Sequence, residues 1–124
     1  MSDISGLLHA GLLVDDLDRA RRFYETVLGL ASCPRPALPY PGAWYDLGSG
    51  RQLHLMNLPN PDAGATRPEH GGRDRHIALG VRAMAVLQAR LDAAGVAYTV
   101  SRSGRAALFC RDPDGNTLEF VETA

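Results

Sequence analysis

Two cysteines in 124 residues are too few for a disulfide framework, and neither Cys33 nor Cys110 stands in a CxxC pair. Two reduced thiols in a cytoplasmic protein are the expectation. Long apolar runs are missing as well: none approaches the roughly 20 residues that a membrane span needs. The opening "MSDISGLLHAG" has no basic stretch leading into an apolar core, so no secretory signal is read there. Charge of one sign is also lacking. With 13 Lys and Arg against 14 Asp and Glu the formal net charge is −1, and the basic residues are scattered, which argues against nucleic acid or a membrane surface as partner. Repeats of short period, the mark of solenoids, are absent.

What is present is the make-up of an ordinary soluble globular protein, with 45% hydrophobic and 22% charged residues. Its length suits a single domain, 1–124, able to bury a core without staples. Residues 7–14, "LLHAGLLV", read as a buried strand. "DLDRARRFYETVLG" reads as a helix with Asp16 as N-cap, an apolar stripe of Leu17, Ala20, Phe23, Tyr24, Val27 and Leu28, and Gly29 as its left-handed end. A proline-rich stretch follows, with room for a short edge strand before the prolines. "AWYDL" and "QLHLMNL" form two strands around the turn "GSGR".

After a Pro-, Gly- and charge-rich loop at 59–74 the same order returns. "RHIALGV" is a strand, "AMAVLQARLDAAG" a helix ended by Gly95, and "AYTVS", "AALFCR" and "TLEFVE" are three more strands. The last two are joined by "DPDGN", with Gly115 at the position needing positive φ. The halves 7–58 and 75–122 therefore read as an internal repeat. His9 matches His76 at an offset of 67, Gly29 matches Gly95 at 66, and His54 matches Glu119 at 65.

Four polar residues stand at these matched positions. Side chains alternate along a strand, so parity assigns faces. His9 shares a face with Gly11 and Leu13, His54 with Gln52 and Met56, His76 with Ala78 and Gly80, and Glu119 with Thr117 and Val121. The opposite faces are uniformly apolar, as expected where helices cover a sheet. Singly, each has a structural reading: His54 as a core histidine bonded to a carbonyl, Glu119 as an exposed edge carboxylate. Jointly, burying such groups without partners would cost several kcal/mol. A divalent ion removes that cost, since imidazole nitrogen and carboxylate oxygen are its preferred donors. His9, His54, His76 and Glu119 are thus the candidate ligands of one ion per site, a donor set that suits Zn, Ni, Co, Fe or Mn.

The segments "HAGLLVDDLDRARRFYETVLGL", "RHIALGV" and "CRDPDGNTLEFVE" resemble the vicinal oxygen chelate superfamily, which holds glyoxalases, bleomycin-binding and fosfomycin-resistance proteins and extradiol dioxygenases. The resemblance covers nearly the whole chain. It implies an α+β fold of two βαβββ modules whose mixed sheets curl into a cup, with helices on the outer face. It also implies a metal on His9, His76 and Glu119, with His54 at the fourth, variable position, and a homodimer that often builds each cup from modules of both chains.

By the same resemblance the ion acts as a Lewis acid on a small substrate that chelates it through neighbouring oxygens, stabilising an enediolate or alkoxide. A glyoxalase-like lyase or isomerase is the first expectation, with His54 and Glu119 as candidate proton-moving residues. The sequence departs from the glyoxalase pattern at His54, where glutamate is typical; a neutral histidine can also serve as a base. Two alternatives stand beside it. His9, His76 and Glu119 make the triad that suits an Fe(II) extradiol dioxygenase, although "ALFC" offers only Phe109 where those enzymes usually have tyrosine. A drug-sequestering resistance protein is the other, although such relatives lack the ligands kept here. Fosfomycin-type thiol transfer is disfavoured because its basic, serine-rich segment is reduced to "SRSGR". Trp44 and Tyr45 are candidate substrate walls, or else core aromatics. His70, Arg51 and Arg111 are read as solvent-facing, and Asn116 as a turn residue.

Overall fold

The computed structural model describes residues 2–124. The element order is β1 (His9–Leu13), α1 (Leu17–Arg21) running into a π-helical stretch (Arg22–Val27), β2 (Ala31–Cys33), β3 (Gly42–Gly48) and β4 (Arg51–Met56). A 3-10 turn (Gly71–Arg73) then leads into β5 (His76–Val81), α2 (Met84–Ala93), β6 (Tyr98–Val100), β7 (Ala107–Arg111) and β8 (Thr117–Glu122). The strands form two four-stranded sheets, ordered β1-β4-β3-β2 and β5-β8-β7-β6. In each, the first strand lies parallel to the last, and the other pairs are antiparallel. The expected α+β architecture of two βαβββ modules is observed, as two sheets of like topology rather than one continuous sheet.

A parallel pair needs a crossover connection, and the helix supplies it. That helix covers one face of its sheet, which is why the residues at odd parity to the histidines are apolar. Leu53 and Leu55 of β4 and Leu118 of β8 are fully buried, and Phe120 is nearly so. They join Phe23, Tyr24, Leu87 and Leu91 from the helical segments in one core that spans both modules. Each such side chain contributes about 1.5–3 kcal/mol of burial.

The first helix begins where expected. Asp16 has extended backbone and its side chain accepts from Arg19 N–H at 3.1 Å. Its second half differs from the α-helix expected: the backbone bonds Leu28 N–H to Phe23 O and widens into a π turn. The wider turn lets the consecutive aromatics Phe23 and Tyr24 both reach the core. Gly29, at φ 78°, then ends the helix in a conformation that a Cβ would strain.

The modules are tied together by the β7–β8 turn. Tyr24 OH donates to Asp112 Oδ2 at 2.7 Å, and Asn116 Nδ2 donates both to that oxygen and to Leu13 O, each at 2.9 Å. Arg19 pairs with Asp114 at 3.1 Å, and Asp15 N–H donates to the same carboxylate. Asn116 is therefore more than a turn residue. Burial pushes the Asp112 carboxyl up despite the hydrogen bonds from Tyr24 and Asn116 that favour its charge. Burial, then the neighbouring Asp112 carboxylate, pushes the Tyr24 phenol up as well. Tyr24→Phe removes a donor from a buried carboxylate and is expected to cost about 1–3 kcal/mol in urea unfolding.

Candidate functional site

In the second module, β5 and β8 lie side by side with Ala78 opposite Glu119 and His76 opposite Thr117. This places His76 and Glu119 on one face, two residues apart in register. His76 Nε2 is 3.2 Å from Glu119 Oε1. The Glu119 side chain is only 4% exposed, because its strand lies inside the sheet between β5 and β7. Its other oxygen accepts from Arg105 Nη2 at 2.8 Å.

His76 Nδ1 lies 2.8 Å from the backbone carbonyl of Asp74. A carbonyl can only accept, so this nitrogen carries the proton and a neutral His76 turns the Nε2 lone pair to Glu119. Two acceptors then face one another, and either a proton on Nε2 or a bound cation satisfies them both. Cis ligands bonded at about 2.0–2.2 Å to one ion sit about 3 Å apart, which the 3.2 Å separation matches. A histidine whose second nitrogen is held by a carbonyl is also the usual form of a metal-ligating histidine. The residues of this corner fit a divalent ion.

In the first module, His9, His54 and Trp44 form a column. The Trp44 and His54 rings stack at 3.9 Å with 4° between planes, and His54 and His9 at 4.2 Å with 20°. His54 Nε2 is 2.8 Å from Gln52 Oε1, two residues along the same face; the amide oxygen accepts, so Nε2 donates and Nδ1 is left as the free acceptor. Burial, then the nearby His9 and Arg35, lowers the His54 pKa, which favours the neutral ring. An imidazole lone pair lies in its ring plane. Two nearly parallel rings cannot both aim at one ion, so His9 and His54 as they stand are not joint ligands.

The four candidates are thus brought together as two pairs. Among the described residues no three His, Cys, Asp or Glu side chains gather closely enough to hold an ion. Convergence of all four within one chain is not what the structure shows. Three further expectations are corrected. Tyr45 is no substrate wall: it is fully buried and its OH donates to Glu25 Oε2 at 2.9 Å, because it points to the core face of β3. His70 is not a solvated loop residue. Its Nδ1 bonds Thr99 Oγ1 at 2.8 Å and its ring meets Phe109 edge-on, so that it lines a concavity of about 430 Å³ with Arg105, Phe109, His76 and Glu119. Arg111 turns inward to Asp74, Thr117, Gly115 O and Pro68 O. Trp44 does lie on the site face, against His54.

Residues 6–120 match the family model "Glyoxalase/Bleomycin resistance protein/Dioxygenase superfamily". The chain belongs to this superfamily. It is 31% identical over 123 residues to "Glyoxylase I 4" of Arabidopsis thaliana, covering 94% of this chain and 70% of that protein. It is 32% identical over 124 residues to the "Lactoylglutathione lyase" of Haemophilus influenzae, covering 94% of this chain and 91% of that protein. Among solved structures, a glyoxylase/bleomycin resistance protein/dioxygenase domain from Frankia sp. EAN1pec superposes with a TM-score of 0.71 at 28% identity, covering 98% of this chain and all of that one.

Within this superfamily fold the two thiols are placed differently: Cys110 belongs to the core, whereas Cys33 on β2 stands opposite Trp44 on the same face of the first sheet. Burial, then the Asp112 charge, pushes the Cys110 thiol up to about 12, and it faces the core. Cys33 is half-buried. A disulfide reagent is expected to modify no more than one thiol in the folded protein and both after unfolding; ready reaction of Cys110 in the native state would contradict its placement.

Proposed function

We propose that the protein is a divalent-metal-dependent lyase or isomerase of the glyoxalase type. It works as a homodimer whose sites each combine His9 and His54 of one chain with His76 and Glu119 of the partner subunit. The observation that carries this reading is the division of the donors into two pairs, one on each module; a two-fold partner would supply the complementary pair. The names of the curated relatives, a glyoxylase and a lactoylglutathione lyase, support the reaction class.

His9, His76 and Glu119 are the residues that would hold the ion. Bound there, it supplies Lewis acidity that lowers the cost of negative charge on a chelating substrate oxygen. The Asp74 carbonyl keeps the His76 proton on Nδ1, so Nε2 stays available as a donor atom. Arg105 engages one Glu119 oxygen and leaves the other turned to His76. His54, neutral and with Nε2–H committed to Gln52, keeps Nδ1 free to accept a proton from the carbon next to the substrate carbonyl and return it to the neighbouring carbon. Trp44 holds that ring in plane from one side. The substrate is a small molecule with oxygens on adjacent atoms, such as the hemithioacetal of an α-oxoaldehyde.

Protein purified without chelator is expected to carry one divalent ion per site and to isomerise such a hemithioacetal. Chelation should stop turnover, and added metal should restore it. His76→Ala should lose metal while keeping its circular dichroism and unfolding midpoint close to wild type. Absence of bound metal in the wild type would sink the proposal, and oxygen uptake with catechols would move it to the dioxygenases. The assembly has its own test. A chain carrying His9→Ala and His54→Ala, refolded with an equal amount of one carrying His76→Ala and Glu119→Ala, should regain about one quarter of wild-type sites. A site built within one chain would regain none.

A further inference from the structure

Asp74 lies in the loop that leads into β5, and no role follows for it from the ligand set. Its side chain is 8% exposed and its carboxylate is fully engaged. Oδ2 accepts from Arg67 Nε at 2.8 Å, Arg111 Nη1 at 2.8 Å and Thr117 Oγ1 at 3.1 Å, while Oδ1 accepts from Arg75 N–H at 2.9 Å. Burial opposes the charge, yet these hydrogen bonds outweigh it and hold the carboxyl well below the usual carboxylate range. Arg111 and Thr117 belong to β7 and β8, so the loop is pinned to the very strands that carry the site. The same loop passes so close over them that a Cβ on Gly71 would come within 2.6 Å of Thr117 Cγ2 and 3.0 Å of Phe109 Cβ. The one part of Asp74 that turns to the site is its carbonyl, which accepts a hydrogen bond from His76 Nδ1–H, with nitrogen and oxygen 2.8 Å apart.

We infer that Asp74 is the positioning residue of His76: its carboxylate, clamped by Arg67, Arg111 and Thr117, fixes its own carbonyl so that His76 keeps the Nδ1–H tautomer and presents the Nε2 lone pair beside Glu119. Free neutral imidazole in a histidine side chain has no such constraint and distributes its proton between both nitrogens. The loop is therefore a part of the site at one remove. Releasing the carboxylate leaves the carbonyl in the chain but frees it to move. The consequence for metal binding rests on the metal-site reading above, whereas the tautomer does not.

The two can be separated in the metal-free protein at a pH well above the ordinary imidazole range, where the rings are neutral. Long-range nitrogen–proton correlation spectra read the tautomer of each ring, and the His76 signals are those lost in His76→Asn. Wild type is expected to show His76 as Nδ1–H. Asp74→Ala should shift it toward Nε2–H and weaken zinc binding by about 10–100-fold, the usual effect of losing a partner that orients a ligand. Asp74→Asn, which keeps an oxygen acceptor for Arg111, should fall between. Arg67→Met, on the loop side of the clamp, should move both readouts in the same direction as Asp74→Ala and serves where that variant does not fold. A wild-type His76 in the Nε2–H form overturns the inference, as do folded Asp74→Ala and Arg67→Met proteins with unchanged tautomer and zinc affinity. A wild type with the Nδ1–H form that binds no zinc upholds the positioning role and overturns the metal site instead.

Discussion

Pairing the first strand of each module parallel to the last is the constraint from which the other features descend. A parallel neighbour cannot be reached by a tight turn, so the chain must cross over, and the crossover lays a helix on one face of the sheet. That face becomes core. Period-two alternation then sends every second residue to the other face, away from the helix, where His9, His54, His76 and Glu119 stand. Because both modules obey the same rule, each offers one apolar and one chemically equipped surface. The β7–β8 turn, through Asp112, Asn116 and Tyr24, locks the two together by their structural sides.

The equipped surfaces are not equivalent despite the repeat. In the second module a buried carboxylate accepts from Arg105 through one oxygen and faces an imidazole nitrogen with the other. In the first module the matched positions hold a stack of three aromatic rings, in which burial, then the nearby His9 and Arg35, lowers the pKa of His54. Two copies of one unit have thus diverged to present unlike chemistry on corresponding faces.

Much of this could be read from the residues. Parity alone sorted the strands into faces, Asp16 and Gly29 bounded the first helix, and the matched histidines marked the repeat. Other features left no local trace. The π turn uses the same apolar letters as an α turn, and only the consecutive burial of Phe23 and Tyr24 distinguishes them. His70 and Arg111 owe their inward placement to Thr99 and Asp74, 29 and 37 residues away in sequence. Parity says which face a side chain takes, not how the faces of two modules stand relative to one another. The separation of the four donors into pairs was therefore beyond it. Parity did put Gln52 on the face of His54, but not the hydrogen bond between the two.

The chain contains a single tryptophan, and it lies flat against His54 at 3.9 Å. Tryptophan fluorescence of the protein, excited where tyrosine does not absorb, therefore originates from one ring in van der Waals contact with that imidazole. Any occupant that tilts or displaces that imidazole writes itself into the spectrum without an attached label, making the molecule its own optical sensor of what enters the cleft.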